Sequence, residues 1–205
     1  IAMAQPGTSV VVEPGEYRER LTLRDHVRVV SRVPRGASLL LPAGSSASDA
    51  AVVAAGIVGA ELAGFRIVGD ATSPLGVGVI TRAASLRPVD IEVTGTSVAA
   101  LDLGAGDDVG LVGSDIHDNA GAAMVVGGGA SPRIAHSRFS RNGANAGSAP
   151  TLVIDTTARP TFSRNLFDGP AASLFPAADA DARQLLQSQN VFAAAPPAAR
   201  PRAAR

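Results

Sequence analysis

The chain has 205 residues and is 46% hydrophobic, yet it carries one Tyr, six Phe, no Trp and no Cys. Its apolar mass is therefore Ala, Val, Leu and Ile, with 39 Ala alone, beside 22 Gly and 14 Pro. The length allows one domain or two small ones, the branched-residue content and balanced charge exclude general disorder, and the lack of Cys excludes a disulfide framework, a Cys-ligated zinc site and a Cys nucleophile.

All 18 basic residues are Arg, and 18 acids bring the net charge to zero. That balance argues against nucleic-acid binding driven by backbone phosphates. No apolar run reaches the roughly 18–20 residues of a membrane span. The charge is unevenly spread. Residues 1–41 hold six Arg and four acids, residues 42–132 three Arg and ten acids, and residues 133–205 nine Arg and four acids.

The chain opens Ile1-Ala2-Met3-Ala4, without an initiator Met or a basic-then-apolar leader. It is expected to be an excised domain or processed protein, fused to further domains. Leu62-Ala63-Gly64-Phe65-Arg66-Ile67 sets a frame with apolar first and sixth positions, and Val89–Val93 is a version one residue shorter. The frame returns without gaps at Leu111–Asn119, Ile134–Asn142 and Phe162–Gly169, and in worn form at Asn190-Val191-Phe192. The offsets are 23 residues from Leu111 to Ile134 and 28 from Ile134 to Phe162, the excess falling in Gly143–Pro150. A second ladder, Leu101/Leu103, Met124/Val126 and Leu152/Ile154, keeps the same steps, with Val77/Val79 as its upstream continuation.

Strands this short cannot bury an apolar face alone, and no helical spacing separates them. Stacking successive repeats as coils about 4.8 Å apart satisfies both backbone and side chains. The expected fold is all-β: a parallel β-solenoid of roughly seven to eight coils of about 23 residues. Ala177–Gln187, with Asp179, Asp181, Leu185 and Leu186, predicts a short C-terminal capping helix. Residues 1–192 form the solenoid domain, and the Ala/Pro/Arg run 193–205 is a low-complexity tail or linker.

The stretch Ala4-Gln5-Pro6-Gly7-Thr8-Ser9-Val10-Val11-Val12-Glu13-Pro14-Gly15-Glu16-Tyr17-Arg18-Glu19 resembles the first coil of right-handed parallel β-helix proteins, the pectate-lyase-like superfamily that includes NosD-like repeat proteins. The resemblance covers about residues 4–192. It implies a right-handed β-helix, and membership among lyases, hydrolases, epimerases and non-catalytic modules alike. It also implies that such modules occur in bacterial surface proteins and appended to signalling proteins, kinases included. An extracytoplasmic or cell-surface location is favoured.

The aligned repeats set Asp115 over Arg138, His117 over Ser140, Asp118 over Arg141 and Asn119 over Asn142. These residues form a polar patch suited to a sugar acid, or else pair off between adjacent coils as cross-strand charges do. Such pairing would also explain an acidic middle followed by a basic segment. Asp107 and Asp108 invite comparison with the paired Asp of polygalacturonases, whose two carboxylates divide acid and base roles. One repeat after Asp107 stands Ala130, however, and one before Asp108 stands Ser85, so the supporting shell is missing. A solvated turn, or weak calcium affinity through Asp102, Asp107 and Asp108, are the alternatives; no other cofactor or metal site is expected. His26, His117 and His136 occupy unrelated positions in their coils. Arg32-Val33-Pro34-Arg35 reads as a Pro-broken connection. The ligand-binding candidates are thus Asp107, Asp108, Asp115, His117, Asp118, Arg138 and Arg141. The expected function is a non-catalytic module binding a polysaccharide or protein. A carbohydrate-active lyase or hydrolase and a structural stalk are the alternatives.

Overall fold

The computed structural model describes residues 1, 3–46, 48–143, 151–169, 171–175 and 180–193. The chain winds through three parallel sheets, of seven, eight and six strands, visiting each once per turn for about seven turns. The first sheet begins at Ser9–Val12, the second at Gly15–Arg18 and the third at Leu21–Thr22. Every strand pair is parallel, and each strand lies beside its counterpart one coil away. The right-handed sense is that of almost all parallel crossovers.

The interior consists of three ladders of stacked side chains. The first sheet contributes Val10, Val29, Leu62, Pro88, Leu111, Ile134 and Phe162. The second contributes Tyr17, Leu39, Ile67, Val93, Ile116, Phe139, Phe167 and Phe192. The third contributes Leu21, Val52, Val79, Leu101, Met124 and Leu152. Alternation along each strand sends one face inward, and three short strands enclose a bore too narrow for many large rings. That is the cause of the Ala- and Val-rich composition.

Two expected registers shift. Val79, rather than Val77, stacks beneath Leu101, and Thr81 lies beneath Leu103. The frame at Val89–Val93 is not shortened: Val89 pairs with Val112, so the first position falls to buried Pro88. Proline lacks the N–H that a ladder needs, and an apolar search passes over it. Two strands of the second coil, Ala37–Leu40 and Ala50–Ala55, went unforeseen because the step from Val29 to Leu62 is 33 residues.

Five of the six Phe gather at the C-terminal end. Phe139, Phe167 and Phe192 stack face to face at 4.9 and 5.2 Å, and Phe162 and Phe175 meet Phe167 edge-on. The helix Ala180–Gln189 follows, ending two residues later than expected, and it buries no side chain of its own; the expected start at Ala177 lies outside the described residues. Closure is thus an aromatic plug more than a helical lid. At the other end Val10, Val12 and Tyr17 are half-buried beside an open cleft of about 580 Å³. Of the loop Gly143–Pro150, residues 144–150 lie outside the described residues, as does all of the tail 193–205 except Ala193.

Candidate functional site

Each coil turns three corners, and each corner holds at least one buried polar side chain that bridges adjacent coils. At the first corner a left-handed residue recurs as Arg35, Gly64, Asp90, Gly113, His136 and Arg164. The next position is Ser114, Ser137, Asn165 and Asn190 in the later coils, each accepting a backbone N–H from the coil before at 2.9–3.3 Å. At the second corner Asp118 and Arg141 are left-handed. There Asn119 accepts from Thr96 N and donates to Val93 O and to Asn142 Oδ1. At the third corner the polar residue is Asp107.

Asp107 is not a solvated turn residue. It is 2% exposed, and its carboxylate accepts from Thr81 Oγ1 at 2.5 Å, Gly104 N at 2.7 Å and Ala84 N at 2.8 Å. Asp108, next in sequence, points outward and takes Arg133 Nη2 at 2.8 Å. Alternation along the strand separates the two carboxylates. Asp102 pairs with Arg82 at 2.7 Å, so the three acids share no donor.

The remaining candidates converge on the outer face of the second sheet. Arg66, Glu92, Asp115 and Arg138 follow one another in register across four coils, with His117 beside them. Every coil-to-coil alignment expected from the 23-residue step is present, including the Asn119–Asn142 hydrogen bond at 2.8 Å. Most charges pair. Glu92 lies 3.2 Å from Arg66, 3.9 Å from Arg35 and 3.6 Å from His117 Nε2. Asp118 accepts from Arg141 Nε and Nη2, both at 2.6 Å, and meets His117 Nδ1 at 2.6 Å. Hydrogen bonds from Arg141, then from His117, hold the Asp118 carboxyl below the usual carboxylate range, and Asp118 in turn raises Arg141.

Asp115 and Arg138 are the exceptions. They stack in register, but Asp115 Oδ1 is buried without a hydrogen-bond partner, and Arg138 makes no side-chain bond among the described residues. An acceptor and a planar five-donor group thus stand side by side about 4.8 Å apart along the sheet. Sequence reasoning missed the contributions of Arg35, Arg66 and Glu92. Arg35 stands at the first corner two coils before Glu92, and Arg66 lies 26 residues from Glu92 rather than 23.

No family model matches the chain, and no curated protein matches it in sequence. Solved structures do. A "putative glycosyl hydrolase" from Parabacteroides merdae superposes with a TM-score of 0.59 at 13% identity, covering 78% of this chain and 80% of that one. Pectin methylesterase PemA from Erwinia chrysanthemi is also similar, with a TM-score of 0.34 at 13% identity over 82% of this chain and 71% of that one. With three parallel sheets wound through about seven coils, the fold of this chain is a parallel β-helix, the fold it shares with that Parabacteroides structure.

Proposed function

We propose that this chain is a non-catalytic β-helix module that binds a glycan along the outer row of its second sheet, within a larger bacterial surface or signalling protein. The observation that carries the reading is the buried Asp115 Oδ1, without a hydrogen-bond partner among the described residues, beside an Arg138 that makes no side-chain bond among them. A buried carboxylate oxygen without a donor is costly. A sugar hydroxyl supplies that donor, and an adjacent ring or hydroxyl oxygen can accept from the guanidinium. Asp118, beside this row, is spent on Arg141 and His117, whose hydrogen bonds lower its carboxyl, which is the opposite of what a general acid needs.

The enzyme reading rests on Glu92 and Asp115, carboxylates on adjacent coils with His117 close to Glu92. On that reading Arg138 or Arg141 acts as clamp or base on an acidic polysaccharide, and the similarity to a protein named as a glycosyl hydrolase is in keeping with it. A glycan array followed by incubation with the polymers retained decides between them. Binding that falls about tenfold in Asp115→Asn and Arg138→Gln, with no unsaturated or reducing-end product from polygalacturonate or alginate, is expected. Product formation overturns the non-catalytic reading, and a silent array overturns glycan binding.

A further inference from the structure

We propose that the outer face of the first sheet carries a second, separate site, in which Arg87 and Arg133 close on a phosphate or sulfate group over Gly110. The outward row of this sheet reads Arg28, Glu61, Arg87, Gly110, Arg133 along the solenoid. Four of the five positions bear long charged side chains. Gly110 bears none, and a Cβ there would have no atom within 4 Å. The gap is the floor of a groove of about 320 Å³ whose lining includes Ser85, Arg87, Asp108 and Arg133.

The two arginines flanking the gap have donors to spare. Glu61 Oε1 is taken by Arg28, through Nε at 3.2 Å and Nη2 at 2.9 Å. Arg87 comes no nearer than 3.9 Å to Glu61 Oε2 and is 63% exposed. Arg133 is 66% exposed and spends one N–H on Asp108, at 2.8 Å. A guanidinium offers five donors, so both retain unspent N–H groups. They stand two coils apart, about 9.6 Å along the sheet, close enough to bend toward a group seated between them.

That arrangement selects among anions. A carboxylate presents two oxygens in one plane and is satisfied by a single guanidinium fork. Two forks approaching from opposite sides suit a tetrahedral oxyanion, whose oxygens diverge toward both. Charge agrees. Arg28 and Glu61 cancel, leaving Arg87 and Arg133 against Asp108, a surplus of one positive charge at a site that sheds little water from the protein side. Ser85, in register with Asp108, adds a hydroxyl at the wall.

The test is calorimetric titration of the full chain at low ionic strength with inorganic phosphate, inorganic sulfate, glucose 6-phosphate and acetate. Phosphate and sulfate are expected to bind and acetate not to. Arg87→Gln and Arg133→Gln should each weaken binding about tenfold, and Gly110→Leu, which meets open space, should abolish it in a folded protein. Asp108→Asn should tighten binding about threefold, an improvement that misfolding cannot produce. Tighter binding of glucose 6-phosphate than of phosphate assigns the site to an ester-bearing sugar, and equal binding assigns it to the free ion. Absence of binding by either oxyanion, equal binding of acetate, or indifference to all four variants overturns the site. Asp115→Asn and Arg138→Gln lie on another sheet and should leave this titration unchanged.

Discussion

Asp107 and Asp108 are adjacent carboxylates for which opposite outcomes are expected. In Asp107→Ala three buried donors lose their acceptor: Thr81 Oγ1–H, Ala84 N–H and Gly104 N–H. Gly104 N keeps a second acceptor, Thr81 O at 3.0 Å, and the Thr81 hydroxyl can rotate. Ala84 N–H loses its carboxylate outright. A hydrogen bond to a charged group contributes about 1.5–3 kcal/mol, and an orphaned buried donor costs about 1–3. One full loss and two partial ones sum to about 3–5 kcal/mol. At about 2–4 °C per kcal/mol for a chain of this size, the melting temperature should fall by about 6–20 °C. Asp108→Ala removes one exposed ion pair and should cost about 1 kcal/mol at most. Urea unfolding followed by far-ultraviolet circular dichroism measures both. Equal, small losses would show that the Asp107 carboxylate does not hold the corner, and would return it to the candidates for ligand binding.

Two further outcomes follow from the packing and the charges. Ile116→Asp or Phe139→Asp puts an unpaired carboxylate into the second ladder, where both residues are 0–1% exposed, and should abolish the cooperative unfolding transition; a soluble, fully folded mutant would refute the register. Asp118 is held below its ordinary range, so its native state binds a proton less readily than the unfolded chain does. Its stabilisation is complete above about pH 4 and is lost as pH falls through the native value. Because its side chain is 49% exposed, the contribution is about 1 kcal/mol at most after solvent screening. The stability gap between wild type and Asp118→Asn should therefore narrow below pH 4, as read by denaturation at pH 6 and pH 3; a gap that widens on acidification would refute the direction of the shift.

Legibility along the chain tracks the constancy of the step. Between Leu101 and Asn142 the step is 23 residues, so Asp115, His117, Asp118 and Asn119 could be set over their partners one coil on by counting alone. Where the step changes to 33, at Val29 to Leu62, counting fails, and the strands Ala37–Leu40 and Ala50–Ala55 stay hidden. Charge alignment was readable, but charge pairing was not. Asp118 reaches Arg141 with two 2.6 Å hydrogen bonds, whereas Asp115 and Arg138, equally well aligned, leave Asp115 Oδ1 without a partner.

The low aromatic count, the abundance of Ala and Val and the repeat together dictate a narrow stacked cylinder, because short alternating strands bury their faces only against copies of themselves. Local sequence therefore determines the coil, and its register wherever the 23-residue step holds. Tertiary structure alone decides which polar groups are spent on the scaffold and which are left over. Whether a carboxylate faces a corner or the solvent depends on one-residue alternation and on backbone donors from the neighbouring coil, as Asp107 and Asp108 show. The six Phe make the same point: a count cannot say that five of them close one end of the bore, since that follows only from where the coils stop.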